Sequence, residues 1–137
     1  MTARHAAPPF SPLDIALRTV IVGLTLATAS IHATLGGLLF TANAIGYVVL
    51  ATAMVAPLAL ASRLRGVVRI SLAGYAATTI LGWAIQGPFY STAYVAKAIE
   101  LVLIVLLAIE FVRFDGSPLV LIRRELRSGL GHLRAGY

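Results

Sequence analysis

Four apolar runs of about 20 residues each, separated by short breaks, leave this chain few ways to fold. They cover about Ile15 to Thr34, Leu38 to Leu60, Val67 to Ile85 and Thr92 to Phe114. Each is long enough to cross the hydrocarbon core of a bilayer as a helix, where every backbone N–H and C=O must find its partner within the segment. The rest of the composition agrees. Only 12% of residues are charged, 59% are hydrophobic and the mean hydropathy is +0.91, far from what a soluble domain of 137 residues requires.

The breaks have a local chemistry. Ser11-Pro12-Leu13-Asp14 reads as a helix start, with Ser as cap, Pro at the first helical position and an acid in the first turn. Gly36-Gly37 interrupts the pattern between the first two runs, and Pro57 falls near the end of the second. Gln86-Gly87-Pro88 ends the third run, because a residue before proline is pushed out of the helical region. Asp115-Gly116 stops the fourth. Ala27-Thr28-Ala29 imitates a signal-peptide cleavage site, but the segment is read as a retained span.

The predicted fold is all-α: an up-down-up-down four-helix transmembrane bundle over residues 15–114, with a flexible cytoplasmic leader over 1–14. Residues 115–137 form a basic amphipathic cytoplasmic tail. In that tail Leu119, Ile122, Leu126, Leu130 and Leu133 share one helical face, with Arg123, Arg124 and Arg127 beside it. This is the pattern of a helix lying in the membrane interface. Ala29, Ala33 and Gly37, and likewise Gly74, Thr78 and Gly82, are spaced by four and form candidate packing seams.

With an even number of spans, all ten arginines fall on one side of the bundle, from Arg4 and Arg18 through Arg63, Arg65 and Arg69 to Arg113 and the tail. The positive-inside rule then makes both termini cytoplasmic in a multi-pass inner-membrane protein. The net charge of +6 is accounted for by orientation and anionic lipid, so nucleic acid is excluded as a partner. The absence of cysteine removes disulfides, thiolate nucleophiles and thiolate metal sites.

The most informative residues are polar ones inside the spans. Ionisable groups are costly there and mark sites or structural pairs. Lys97 and Glu100 are three apart on the fourth run, close enough to touch. His32, Asn43 and Tyr47, Gln86, and Tyr94 lie at comparable depth on the four runs, which predicts one shared polar cluster of His32, Asn43, Tyr47, Gln86, Tyr94, Lys97 and Glu100 towards the outer face. Two readings follow. The cluster is either an ion pair fixing the register of the bundle, or a ligand or proton site with Glu100 as the titrating group and His32 as its relay. His32 is a weak candidate for axial binding of haem or chlorophyll, and no other metal site is expected. Glu110 and Arg113, also three apart, are expected to form a snorkelling pair at the cytoplasmic end.

At His32-Ala33-Thr34-Leu35-Gly36-Gly37-Leu38-Leu39-Phe40, Asn43-Ala44-Ile45-Gly46-Tyr47 and Lys97-Ala98-Ile99-Glu100, the chain resembles small four-span bacterial membrane proteins of unassigned function. The resemblance implies the bundle and points to these stretches, but it implies no activity. No nucleotide-binding glycine loop, zinc-protease motif or nucleophile elbow is present. The expectation is therefore a non-enzymatic accessory or scaffold subunit of a larger membrane complex, with a membrane protein or a second copy as partner. The alternatives are a small-molecule or proton-coupled carrier, a quinone-binding electron-transfer component, and a pigment or haem binder.

Overall fold

A computed structural model describes residues 11–57 and 64–116. The leader before Ser11, the link over 58–63 and the predicted interfacial helix with Arg123, Arg124 and Arg127 lie outside the described residues. Four helices make up what is described: α1 (Pro12–Thr34), α2 (Leu38–Val55), α3 (Arg65–Gln86) and α4 (Ser91–Asp115). Helices α1, α2 and α3 are each long and apolar enough to cross a membrane. At about 1.5 Å per residue the shortest, α2, still extends about 27 Å.

The ends follow the local chemistry. Ser11 and Asp14 form a capping box at the start of α1: the Ser11 hydroxyl accepts from the Asp14 N–H, and the Asp14 carboxylate accepts from the Ser11 N–H. Helix α2 stops at Val55, short of the predicted Leu60. Ala56 precedes Pro57 and has left the helical region at φ −56° and ψ 126°, so the proline ends the helix instead of lying inside it. Between α1 and α2, Gly36 and Gly37 adopt φ of 71° and 84°, conformations that a side chain would strain.

Each helix turns a stripe with alternating spacings of three and four towards its neighbours. Buried Ile21, Thr25, Thr28 and His32 form it on α1, and Arg69, Leu72 and Ala76 on α3. On α4 it runs through Ala93, Ala96, Glu100, Leu103, Leu107 and Glu110. Such a repeat packs helices side by side in a bundle. Helix α1 lies between α2 and α4, and α3 packs on α4, while α2 and α3 form the least extensive of the four neighbouring contacts. The apolar core is Ile21, Ala29, Tyr47, Met54, Leu72, Ala76, Leu103 and Leu107. The exterior carries a large population of apolar side chains, among them Leu38, Ile45, Val49, Leu81, Leu101 and Val105, each more than half exposed. An apolar outside with buried charges inside is consistent with a multi-pass membrane protein.

Two expected seams are not where the helices pack. Gly74, Thr78 and Gly82 are exposed, and a Cβ added at Gly74 or Gly82 would meet nothing within 4 Å. Of Ala29, Ala33 and Gly37 only Ala29 is buried. The reason is register: spacing by four drifts off a stripe that alternates three and four. The close approach is instead at Gly46, where a Cβ would overlap the hydroxyl and Cζ of Tyr75 on α3. Gly46→Ala is therefore expected to lower stability by about 1–3 kcal/mol through overpacking, read by thermal unfolding in detergent. Adding Tyr75→Phe, which removes the overlapping oxygen, should restore part of the loss. A Gly46→Ala protein as stable as the parent would reject this contact.

Candidate functional site

Two buried carboxylates on the α4 stripe organise the interior, ten residues or about 15 Å apart. Glu100 and Glu110 are both fully buried. On α1 their partners Arg18 and Thr28 are also ten apart; on α3 Arg69 binds Glu110, and Thr79, ten residues on, reaches Glu100 only through Tyr47. The bundle thus holds two polar layers, with Ile21, Leu72, Leu103 and Leu107 in the apolar core.

In the Glu100 layer, Lys97 Nζ donates to Glu100 Oε2 at 2.7 Å. Tyr47 OH donates to Oε1 at 3.0 Å and Thr28 Oγ1 to the same oxygen at 3.2 Å. One carboxylate is therefore held by α1, α2 and α4 together. Thr79 joins α3 to the network through its hydroxyl, 3.1 Å from Tyr47 OH. Because the Tyr47 proton goes to Glu100, Thr79 gives its single proton either to the Tyr47 oxygen or to the Ala76 carbonyl, 2.9 Å away.

His32 is buried at the edge of this network. Its Nδ1 lies 2.8 Å from the Thr28 carbonyl, which can only accept, so Nδ1 carries a proton. Nε2 then faces Glu100 Oε1 at 3.7 Å, and this contact becomes an ion pair only when the ring is doubly protonated. The ring is packed obliquely against Tyr47 and Phe40, with centroids 5.6 and 6.3 Å away.

Beside the layer lies a cavity of about 290 Å³, on the α2–α3 side, the least extensive of the four neighbouring contacts. His32, Asn43, Tyr75, Trp83, Gln86 and Lys97 all contribute to its wall. An ammonium group carries three protons, and Lys97 uses one on Glu100; among the described residues it has no second acceptor. Asn43 Oδ1 accepts from Tyr75 OH at 3.2 Å, which fixes both polar groups on the wall. Trp83 donates its indole N–H to the Pro88 carbonyl at 2.6 Å, so its ring is anchored by the α3–α4 turn.

No family model, curated protein or solved structure matches this chain. The site must be read from its own geometry.

Of the seven residues expected to cluster, His32, Tyr47, Lys97 and Glu100 meet directly. Asn43 and Gln86 line the adjoining cavity without touching Glu100. Tyr94 stands apart: it is 53% exposed and packs edge-on against Trp83, with centroids 5.1 Å apart. It follows Ala93 of the α4 stripe by one residue, about 100° round the helix, which turns it away from the bundle interior. Thr28, Tyr75 and Thr79, outside the expected seven, are also members of the network or the wall.

The Glu110 layer corrects a larger expectation. Glu110 does not pair with Arg113. It accepts from Arg18 Nε and Nη2 on Oε1, and from Arg69 Nε on Oε2, each at 3.0 Å. Arg113 instead meets Asp14 Oδ1, with Nη2 at 2.7 Å and Nε at 3.1 Å. Arg18 and Arg69 also lie over the Phe114 ring, 5.6 and 5.0 Å from its centroid. A signal was present in the chain: Glu110 stands ten residues after Glu100 and in phase with Leu103 and Leu107, which places it on the inward stripe. Among the described residues no group of three or more His, Cys, Asp or Glu is arranged to hold a metal ion.

Proposed function

We propose that this chain is a non-enzymatic, four-span protein of the bacterial inner membrane, with α4 as the fourth crossing. Both termini are cytoplasmic, and the Glu100 layer lies towards the opposite face. Its function is to bind a small apolar molecule bearing an acceptor oxygen, and a quinone is the chemistry that fits best. The observation carrying this reading is Lys97, a nearly buried ammonium on the wall of a ring-sized cavity, held by Glu100 with donors to spare.

The cavity lies at the small end of the range for small-molecule sites, about 300–1,000 Å³. Phe40, Tyr75 and Trp83 offer aromatic faces to a flat ring, and Lys97 and Asn43 offer polar contacts at its edge. A charge-assisted hydrogen bond from a buried ammonium to a carbonyl contributes about 1.5–3 kcal/mol, enough to orient such a ring.

Trp83 is the single tryptophan and lies on the cavity wall, so binding has a built-in reporter. Titration with a short-chain benzoquinone in detergent is expected to quench its fluorescence to saturation. Gly82→Leu, which adds a side chain to the wall without touching the ion pair, should weaken that binding about tenfold or more. Quenching that never saturates, or that Gly82→Leu leaves unchanged, would reject the site.

A second reading, an accessory or scaffold subunit of a larger membrane complex, draws on a different observation. Both buried carboxylates are fully engaged in cross-linking helices, as in a rigid structural unit. The partner would be another membrane protein or a second copy. The resemblance to small four-span bacterial proteins suits either reading. Haem or chlorophyll held by His32 has less behind it, because Nε2 is directed at Glu100.

A further inference from the structure

The cavity beside Lys97 is open on one side. The hydrogen bonds between α2 and α3, and the close approach at Gly46, join Asn43, Gly46 and Tyr47 to Tyr75 and Thr79. From there to the start of α2 and the end of α3, the space between the two helices is the cavity itself. Its wall begins at buried Lys97 and ends at Leu39, Thr78 and Gly82, all three exposed on the outside of the bundle. The opening therefore lies in the flank, along the seam between α2 and α3.

The end of the cavity away from Glu100 is taken up by the two interhelical turns. Leu35, at the end of α1, and Gly87 with Pro88, after α3, line it there. Trp83 holds the second turn in place through its hydrogen bond to the Pro88 carbonyl. Around the seam the outer surface is apolar, with Leu39 and Ala42 of α2 and Leu81 of α3 exposed. In the membrane-spanning reading that flank faces acyl chains, so a molecule dissolved in the bilayer reaches the cavity without crossing water.

We propose that the ligand of this cavity is a tailed amphiphile drawn sideways from the bilayer. Its ring sits against Lys97, and its alkyl or isoprenoid tail leaves through the α2–α3 seam past Leu39, Thr78 and Gly82. This rests on the ring-binding reading of the cavity and adds the class of molecule and its route. Size favours it. The cavity has the volume of the smallest ligand sites, so a ring fills it and anything longer extends through the opening. A tail led out through the seam stays among apolar side chains and lipid, whereas one led past the turns would enter water.

The test titrates the full chain in detergent with two quenchers of Trp83 that share one ring, a tailless dimethoxy-methyl-benzoquinone and its decyl derivative. Thr78→Phe adds a bulky side chain at the exposed rim of the seam. It is expected to weaken binding of the decyl quinone about tenfold and to change that of the tailless quinone by less than about twofold. Partition into detergent is the same for both proteins and cancels in the comparison. No loss for the decyl quinone, or an equal loss for both from a folded Thr78→Phe protein, would overturn the seam as the route and leave the ring site standing. A decyl quinone with a diazirine on its tail tests the same route without a substitution. After photolysis, peptide mapping is expected to find the label on α2 and α3 around Leu39 and Thr78; label on the turns at Leu35 and Gly87 instead would overturn the proposal. If neither quinone quenches the unmodified protein to saturation, the ring-binding reading fails, and the tail route with it.

Discussion

Glu110→Ala is expected to cause the largest loss of stability of any single substitution in this bundle. The carboxylate is fully buried and is shared by Arg18 of α1 and Arg69 of α3, so its removal takes a counter-ion from two guanidinium groups at once. Breaking one buried pair costs about 3–5 kcal/mol, and here two pairs depend on the same group. Thermal unfolding in detergent should show the Glu110→Ala protein largely unfolded under conditions where the parent is folded. Glu110→Gln, which keeps the shape and one acceptor, should be intermediate. The comparison that isolates burial is Asp14→Asn, because the Asp14–Arg113 pair is at the surface, with Arg113 39% exposed. Solvent and salt screen that pair, so its loss should shift the transition far less. Equal effects of Glu110→Ala and Asp14→Asn would mean that the Glu110 layer does not brace the three helices.

The second large effect concerns Glu100, and it separates structure from binding. Glu100→Gln breaks the pair with Lys97 while leaving an acceptor for Tyr47 and Thr28. The cost is expected to be about 3–5 kcal/mol, because a buried ammonium loses its partner. Replacing both members of a buried pair is commonly tolerated far better than replacing one. The double variant Lys97→Met with Glu100→Gln should therefore recover most of the lost stability. It should not recover quinone quenching of Trp83, because the spare donors of Lys97 are gone. A stable double variant that binds as well as the parent would leave the pair as a brace and remove Lys97 from the site.

These two layers were not equally legible in the chain. Lys97 and Glu100 are close in sequence, and a spacing of three on a helix brings side chains together whatever the rest of the molecule does. The same local rule misled at Glu110 and Arg113. The spacing is identical, but Glu110 lies on the inward stripe, and its two arginine partners are 92 and 41 residues away. Local geometry gives the pairs that are possible, whereas the direction of each residue on its helix decides which of them form. Gly46 shows the same limit: nothing in its own stretch announces that a tyrosine of α3 occupies the space of its missing side chain.

The sequence alone therefore determined the all-α class, the apolar runs, the capped start of α1 and the gathering of His32, Tyr47, Lys97 and Glu100. These follow from hydrophobic length, local turn chemistry and helical period, all properties of short stretches. The tertiary structure decided which carboxylate braces which helices, that Tyr94 stays outside the cluster, and that a cavity opens between α2 and α3. Those depend on how one helix is rotated against another, and that rotation is set by the packing of all four stripes together.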